Sequence, residues 1–463
     1  MAHAPSSGPS SAPPLDFGLR LNLSVMMFLQ FAIWGAWFTV LGNRLAAMGL
    51  GDYIGRMYGT MALGSIVAPL IVGQIADRYF ASQRLMGLLH LAGAGLLFWM
   101  SQIPPALAAG QVDATGWLFY AVALGYSLVY SPTLALANSV AFTHVPDGQR
   151  DFPGLRVWGT IGWILVGLTV GKVVSLVVPN AATSNAPFLL AAGLSAVLGV
   201  YSFFLPHTPP SGKPGDTLPF LRAVRLLADP SFAVFFGASF LITIVLAFYY
   251  NYTGVFIGDR HKVTDVASTM IVGQIAEMLI LPFLPLFLIK FGMKWVLALG
   301  MLCWGVRYAC FSQAPVDQTG WLLVLFGIAL HGICFDFFFA AGFIHVDKEA
   351  PAEIRGSAQA LFTFLTYGLA MWLGSELSNY VFGKYTEKQP TAVKSETVPV
   401  HEWFVGTGWT NREFVSSTPG VATVTDWTSF WLIPAAGVLA ALLVFVLFFR
   451  MSPPRPAAAD EGY

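Results

Sequence analysis

Long uncharged stretches constrain this sequence more than any other feature. The chain of 463 residues contains twelve runs, each about 18 to 28 residues long, with few or no charged side chains. An α-helix rises about 1.5 Å per residue, so each run is long enough to cross a hydrocarbon core of ~30 Å. Charged residues make up 10% of the chain, whereas soluble proteins contain about 25%. The sequence therefore predicts an all-α integral membrane protein.

The runs are arranged as six before and six after a polar, proline-containing connection at residues 207–230. We therefore expect two six-helix halves, 21–206 and 231–450, with terminal tails at 1–20 and 451–463. The predicted spans are 22–42, 54–75, 85–103, 116–141, 154–178, 187–206, 231–257, 266–289, 294–313, 320–346, 357–382 and 428–450.

The positions of the basic residues predict the orientation in the membrane. Lysine and arginine concentrate in the even-numbered loops and near the termini, which places both termini on the cytoplasmic side. The stretch Leu218–Leu227 is basic on one side and apolar on the other, so we expect a helix lying at that interface. One long loop, 383–426, falls on the outer side.

Composition also excludes several classes of function. The formal net charge is zero, which gives no reason to expect a nucleic-acid partner. The three cysteines, Cys303, Cys310 and Cys334, lie in apolar runs without the spacing of a metal site or a disulfide framework. The sequence shows no nucleophile and base pair either, so we expect neither an enzyme nor a bound cofactor or metal.

Two carboxylates interrupt the apolar runs of the second half. Glu277 lies three residues after Gln274, so a helix places both on one face, and Asp336 lies within a later span. A carboxylate near the bilayer centre costs roughly 3 kcal/mol and is rarely retained without a use. We expect Gln274, Glu277 and Asp336 to bind substrate and the two carboxylates to exchange protons; the alternative is a neutralised structural pair with a basic residue.

A polar and aromatic stripe begins the fifth span. Arg156, Thr160 and Trp163 recur at four and three residues and share one helical face. They suit a flat, polar ligand, although Arg156 could also pair with Glu277 or Asp336, or extend to the lipid headgroups.

Further candidates share this pattern of rings and amides. In the first span, Gln30 and Trp34 are four residues apart, and Tyr250 and Asn251 are adjacent in the seventh. Rings beside amides suit a heterocycle or a sugar, although such stripes also serve as packing. We expect another set to be mainly interhelical partners: His90, His331, Arg307, Glu376 and Lys172.

The loop after the second span resembles a motif of the major facilitator superfamily. Residues 73–78 read Gly-Gln-Ile-Ala-Asp-Arg, similar to the Gly-x-x-x-Asp-Arg loop of that superfamily. The resemblance implies its fold of two six-helix halves and a role for Gly73, Asp77 and Arg78 in the conformational switch.

Six further segments resemble the nucleoside:proton symporter family, which contains the bacterial nucleoside permeases. They are FLQFAIWGAW at Phe28–Trp37, SPTLALAN at Ser131–Asn138, RVWGTIGW at Arg156–Trp163, QIAE at Gln274–Glu277, FDFF at Phe335–Phe338 and DKEAPAEIRGSAQ at Asp347–Gln359. Two positions depart from the family pattern: Trp163 replaces a smaller aromatic residue, and the amides usual on the seventh span do not align with Ala247–Tyr252.

The resemblance implies secondary active uptake of nucleosides with protons by alternating access, in a bacterial cytoplasmic membrane. The partners are then a nucleoside or similar polar substrate, protons and membrane lipid, and we expect a monomer. The family pocket maps onto Arg156, Thr160, Trp163, Gln274, Glu277, Phe335 and Asp336. A carrier of a sugar or another small polar metabolite, or a transporter-like sensor without net flux, remains an alternative.

Overall fold

The computed structural model describes residues 13–71, 79–106, 109–210, 219–390 and 421–450, and these are overwhelmingly helical. Within them, eight helical segments are long and apolar enough to cross a membrane. This count is lower than twelve partly because the helix Ala186–Ser202 has only 17 residues and because residues 266–313 form one continuous segment. The number of spans therefore stays a prediction.

The first group of helices lies before the linker. It comprises α1 (Phe17–Phe38), α2 (Leu41–Ala47), α3 (Ile54–Ile71), α4 (Ser82–Gln102), α5 (Val112–His144), α6 (Gly148–Leu168), which a π-helical turn at Thr169–Val173 extends, and α7 (Ala186–Ser202). Helix α1 packs on α6 and α7, whereas α4 packs on α5 and α7.

The second group follows the linker. It comprises α8 (Pro230–Arg260), α9 (Val266–Ile280), α10 (Leu284–Gln313), α11 (Gln318–Ala329), α12 (His331–Phe335), α13 (Ala341–Glu349), α14 (Arg355–Thr363), α15 (Met371–Lys384) and α16 (Trp427–Phe448). Helix α8 packs on α15 and α16, α10 packs on α16, and α9 packs on α12.

Several of these helices start at an aspartate that caps free backbone N–H groups. Asp229 accepts from Ser231 and Phe232, and Asp265 accepts from Ser268. The same capping by a short acidic side chain fixes the starts of α1, α11 and α16.

The helical geometry is interrupted at defined positions. Gly292 has φ 73° and ψ 165°, so α10 is kinked there, as a residue without a Cβ allows. Two π-helical turns lie in the second group: Asp336–Ala340 joins α12 to α13, and Phe364–Ala370 joins α14 to α15. Such turns reorient side chains and often occur at functional sites.

Polar contacts join the two groups at the end where α1 finishes. Asn43 Nδ2 donates to the Gly254 carbonyl over 2.9 Å, and Asn379 Nδ2 donates to the Asp52 carbonyl over 2.8 Å. An ion pair with a 3.7 Å N···O distance links Arg56 to Glu376 at the same end.

A shorter ion pair also lies at that end, 2.6 Å between Lys172 Nζ and Asp265 Oδ2. Burial opposes ionisation of Asp265, but the Lys172 ammonium and the N–H of Ser268 outweigh it and lower the pKa of Asp265 below its ordinary value. At this end the two groups are therefore closed against each other.

Two of the predicted connections contain regular structure. The basic and apolar stretch forms a helix of the 3-10 type, Pro219–Ala228. The long loop predicted on the outer side contains an antiparallel pair of strands, β1 (Thr386–Pro390) and β2 (Val421–Thr425), in which Thr386 is opposite Thr425. The predicted switch residues Gly73, Asp77 and Arg78 lie outside the described residues.

Candidate functional site

Two glycines bring α9 and α12 close together. A Cβ on Gly332 would lie 2.6 Å from the backbone of Ala276 and 2.9 Å from the Glu277 nitrogen, and a Cβ on Gly273 would lie 3.1 Å from His331. Only glycine permits this approach, because any larger residue would force the helices apart. The contact positions the two predicted carboxylates, Glu277 and Asp336, on neighbouring elements.

Glu277 is the electrostatic centre of the site. Its carboxylate interacts with Arg156 from the first helix group and with Asp336 from the second. His331 Nε2 lies 3.8 Å from Glu277 Oε2, and the Glu277 side chain remains 26% exposed. Sequence reasoning predicted Arg156, Glu277 and Asp336 independently, and the fold brings their charges within interaction range.

Arg156 projects from α6 toward α1. Its guanidinium carbon lies 3.9 Å from the centroid of the Phe31 ring, a cation–π contact. Gly159 makes room for this arrangement, because a Cβ there would lie 2.6 Å from Phe31 and 2.8 Å from Arg156 Nη1. The arginine is therefore held by an aromatic face, and its charge remains directed at Glu277.

Aromatic side chains form one continuous wall across the two groups. Trp34 and Trp163 meet edge to face at 5.3 Å between ring centroids, and Phe38 lies 6.0 Å from Trp163 and 5.7 Å from Tyr250. Tyr250 in turn lies 6.1 Å from His331, beside Glu277. The wall supplies flat apolar surface next to the charged groups.

Several buried polar atoms in this region have no hydrogen-bond partner among the described residues. Gln274 Oε1 and Asp336 Oδ2 are acceptors, and the indole Nε1 atoms of Trp34 and Trp163 are donors. An unpaired buried polar group costs about 1–3 kcal/mol. Their clustering favours a polar ligand that satisfies them.

The remaining predicted residues lie in different environments. Thr160 is half-buried one turn after Arg156, and Phe335 is half-buried with its ring 5.6 Å from His331. The amide of Gln30 is engaged on both sides, because Nε2 donates to Thr133 and Oε1 contacts His90, each over 2.8 Å.

Asn251 is likewise occupied, since its Nδ2 donates to Ser378 over 2.9 Å. Neither this amide nor that of Gln30 is directed at Glu277 in this conformation.

The structure adds one residue that the sequence did not single out. Tyr367, in the π-helical turn Phe364–Ala370, interacts electrostatically with Glu277. Tyr249 of α8, which the sequence offered as a residue lining the cavity, also interacts with Glu277. The sequence contained one signal that could have identified Tyr367, a polar hydroxyl group within an apolar run. The proximity of Phe31 to Arg156 had no signal, since the two residues are more than a hundred positions apart.

The fold and site together define a class of protein: a multi-spanning helical membrane transporter of the major facilitator type, with a charged and aromatic site between two helix groups. The family model described as "Nucleoside H+ symporter" matches residues 17–453. The chain belongs to the nucleoside H+ symporter family, which confirms the family predicted from the motifs, and it is a transporter and not an enzyme.

Three relatives from Escherichia coli (strain K12) resemble the chain along nearly its whole length. The putative nucleoside transporter YegT is 36% identical over 437 residues, 93% of this chain and 94% of that protein. The nucleoside permease NupG and the xanthosine permease are each 28% identical over 451 residues, 93% of this chain and 96% of each relative.

Solved structures agree with this family. The crystal structure of NupG matches with a TM-score of 0.77 at 27% identity, covering 94% of this chain and all of that one. A D-xylose-proton symporter matches with a TM-score of 0.62 at 15% identity, covering 92% of this chain and 97% of that one. The second match shows the fold alone.

Proposed function

We propose that the protein takes up nucleosides together with protons by alternating access. The observation that carries the proposal is that the site spans both helix groups: Phe38 of the first group meets Tyr250 of the second at 5.7 Å between ring centroids, and Arg156 lies within electrostatic range of Glu277. A ligand that binds between these residues contacts both groups at once, as a carrier that rocks around a midplane site requires. The family description and the names of the relatives support a nucleoside as that ligand.

The chemistry of the site suits the two parts of a nucleoside. Gln274 Oε1, Asp336 Oδ2 and the Glu277 carboxylate are acceptors for ribose hydroxyl groups. The rings of Trp34 and Trp163 offer apolar surface for the base and indole donors for its carbonyl or ring nitrogen.

Proton coupling follows from the charge balance of the same residues. Arg156 carries one positive charge, and Glu277 and Asp336 supply two carboxylates within interaction range. Two ionised carboxylates beside one arginine leave an excess negative charge in a low-dielectric region, which a bound proton neutralises. Glu277 or Asp336 carries that proton, and Arg156 stabilises Glu277 while that carboxylate is ionised.

Alternating access fits the distribution of contacts between the helix groups. Asn43, Arg56 and Asn379 join the groups at one end, together with Lys172 and Asp265. We assign that end to the outer side of a bacterial cytoplasmic membrane, with both termini cytoplasmic. The carrier then consists of twelve spans in two six-helix halves, works as a monomer and is closed to the outside in this conformation.

Uptake of labelled uridine into proteoliposomes tests the proposal. We expect accumulation when an inward proton gradient is imposed and little accumulation without it. Competition with unlabelled cytidine, adenosine and D-xylose identifies the substrate class, and we expect the nucleosides but not the sugar to compete. Uptake of uridine that is indifferent to the gradient would contradict the coupling, and competition by D-xylose alone would contradict the substrate.

A further inference from the structure

His331 lies against the central carboxylate without having been assigned to the site. Its Nε2 is 3.8 Å from Glu277 Oε2, and the imidazole is 1% exposed. Gly332 allows the backbones of α12 and α9 to touch at Ala276 and Glu277, so the backbone of His331 is held next to that of Glu277.

The ring of His331 is also held in a fixed orientation. It stacks on Tyr249 at 5.2 Å with an interplanar angle of 16°, and Trp304 meets it edge to face at 6.4 Å. Tyr249 is clamped in turn by Arg307, whose guanidinium carbon lies 4.2 Å from the Tyr249 centroid. Helices α8, α10 and α12 therefore jointly determine the direction of Nε2.

The charged and titratable groups around the imidazole come from each neighbouring element. They are Glu277 on α9, Arg307 on α10, Tyr249 and Tyr250 on α8, and Cys334 on its own helix. Arg307 is permanently charged and interacts with His331. A neutral histidine is a hydrogen-bond donor at one ring nitrogen, and Glu277 is the acceptor that Nε2 faces.

We propose that His331 is a positioning residue for transport, which donates from Nε2 to Glu277 and holds this carboxylate facing Arg156 and the substrate. A shift of less than 1 Å from 3.8 Å brings the pair to hydrogen-bond distance. The inference rests on the proposed function and deepens it, because it identifies what orients the carboxylate at the centre of the site.

Three variants in proteoliposomes test the role: His331→Leu, His331→Gln and the control His345→Leu. His345 is an equally buried histidine of the same helix group, surrounded by Phe232, Phe235 and Phe449. We expect His331→Leu to lower gradient-driven uridine uptake about 10-fold, the value of a hydrogen bond to a charged group. His331→Gln, which keeps a donor, should stay within about 2-fold of wild type, and so should His345→Leu.

Two further readouts separate positioning from general damage. In His331→Leu, uridine counterflow should fall less than gradient-driven uptake, because counterflow needs binding and the conformational change but no gradient. The pH profile of uptake should change in that variant alone. In a Glu277→Ala background, His331→Leu should have no additional effect on uridine binding measured by calorimetry, because the acceptor of the hydrogen bond is already absent.

Failure of this inference is distinguishable from failure of the proposed function. Wild-type protein that does not couple uridine to protons overturns the function. The positioning role is overturned if the wild-type protein couples uridine to protons and His331→Leu behaves like it. It is also overturned if His331→Gln is as defective as His331→Leu. Should His331→Leu not insert, His331→Ala replaces it, and an additive effect of His331→Ala and Glu277→Ala on uridine binding would overturn the role as well.

Discussion

The substitution Gly55→Ala should disfavour closure of the end at which the two helix groups meet. Gly55 begins the contact of α3 with α15, and its N–H donates to Asn379 Oδ1 over 2.9 Å. A Cβ at this position would lie 2.2 Å from the Ser375 carbonyl oxygen and 2.5 Å from the Asn379 Cβ. Neither atom can move aside by a rotamer change, since one belongs to the backbone and the other is a Cβ.

The size of the effect follows from this overlap. Ordinary contact begins at 3.4 Å, so α3 and α15 must separate by more than 1 Å to admit the methyl group. Overpacking of this kind costs about 1–3 kcal/mol. Because the strain exists only in the closed arrangement, the same free energy shifts the population toward the open one by about 5- to 150-fold.

Reaction of a cysteine with a membrane-impermeant maleimide measures the shift. Val255 is suitable for the cysteine, because it is 7% exposed and contacts Gly42 across the interface between the groups. In a background whose native cysteines are replaced, Val255→Cys should react at least about 5-fold faster when Gly55→Ala is present. Gly51→Ala is the matched control, since a Cβ there meets nothing within 4 Å.

The account of closure would be refuted by equal labelling rates in Gly55→Ala and Gly51→Ala. It would also be refuted if Gly55→Ala kept wild-type gradient-driven uptake, since a carrier with a smaller closed population completes its cycle more slowly.

Three further predictions concern the site and the ion pair at its closed end. Arg156→Lys should lower uridine affinity about 10-fold in calorimetry, because a lysine lacks the planar guanidinium, and unchanged affinity would argue against contact with the ligand. Gly332→Ala should abolish binding and lower the melting temperature, because the Cβ overlaps the backbone at Glu277; a functional variant would contradict the close helix approach. Asp265→Asn should speed opening at neutral pH by up to about 5-fold, within the usual range of exposed ion pairs. Because the folded-state pKa of Asp265 is lowered, its pairing with Lys172 stabilises the closed state above the ordinary aspartate pKa and is lost as pH falls through the lowered value. Acidification should therefore reduce the difference between the variant and wild type, and an increase would contradict the pairing.

The helical membrane fold was predictable because its signal is local. Each apolar run needs only its own length and composition to specify a helix, and the starts predicted at 231 and 266 lie within one residue of those of α8 and α9. The interruptions were less predictable. The π-helical turn at Asp336 depends on how α12 packs, and nothing in the residues Asp-Phe-Phe-Phe-Ala distinguishes it from a continuing α-helix.

Within the site, charged residues were predictable and their partners were not. A carboxylate in an apolar run stands out, as Glu277 and Asp336 do, because the free-energy cost of placing it in the membrane can be recognised without knowing its neighbours. The role of His331 depends on a glycine contact between α9 and α12, and the engagement of Gln30 by Thr133 depends on packing of α1 against α5. Such long-range contacts leave no periodic trace in the sequence.

Proton movement driven by substrate tests the central claim most directly. Proteoliposomes that contain a pH-sensitive dye, and have no imposed gradient, are mixed with uridine while the internal pH is followed. We predict acidification of the interior by wild type, none with D-xylose, and none with uridine in the double variant Glu277→Gln and Asp336→Asn. Uridine entry without any change in internal pH, or unchanged acidification by the double variant, would contradict the account.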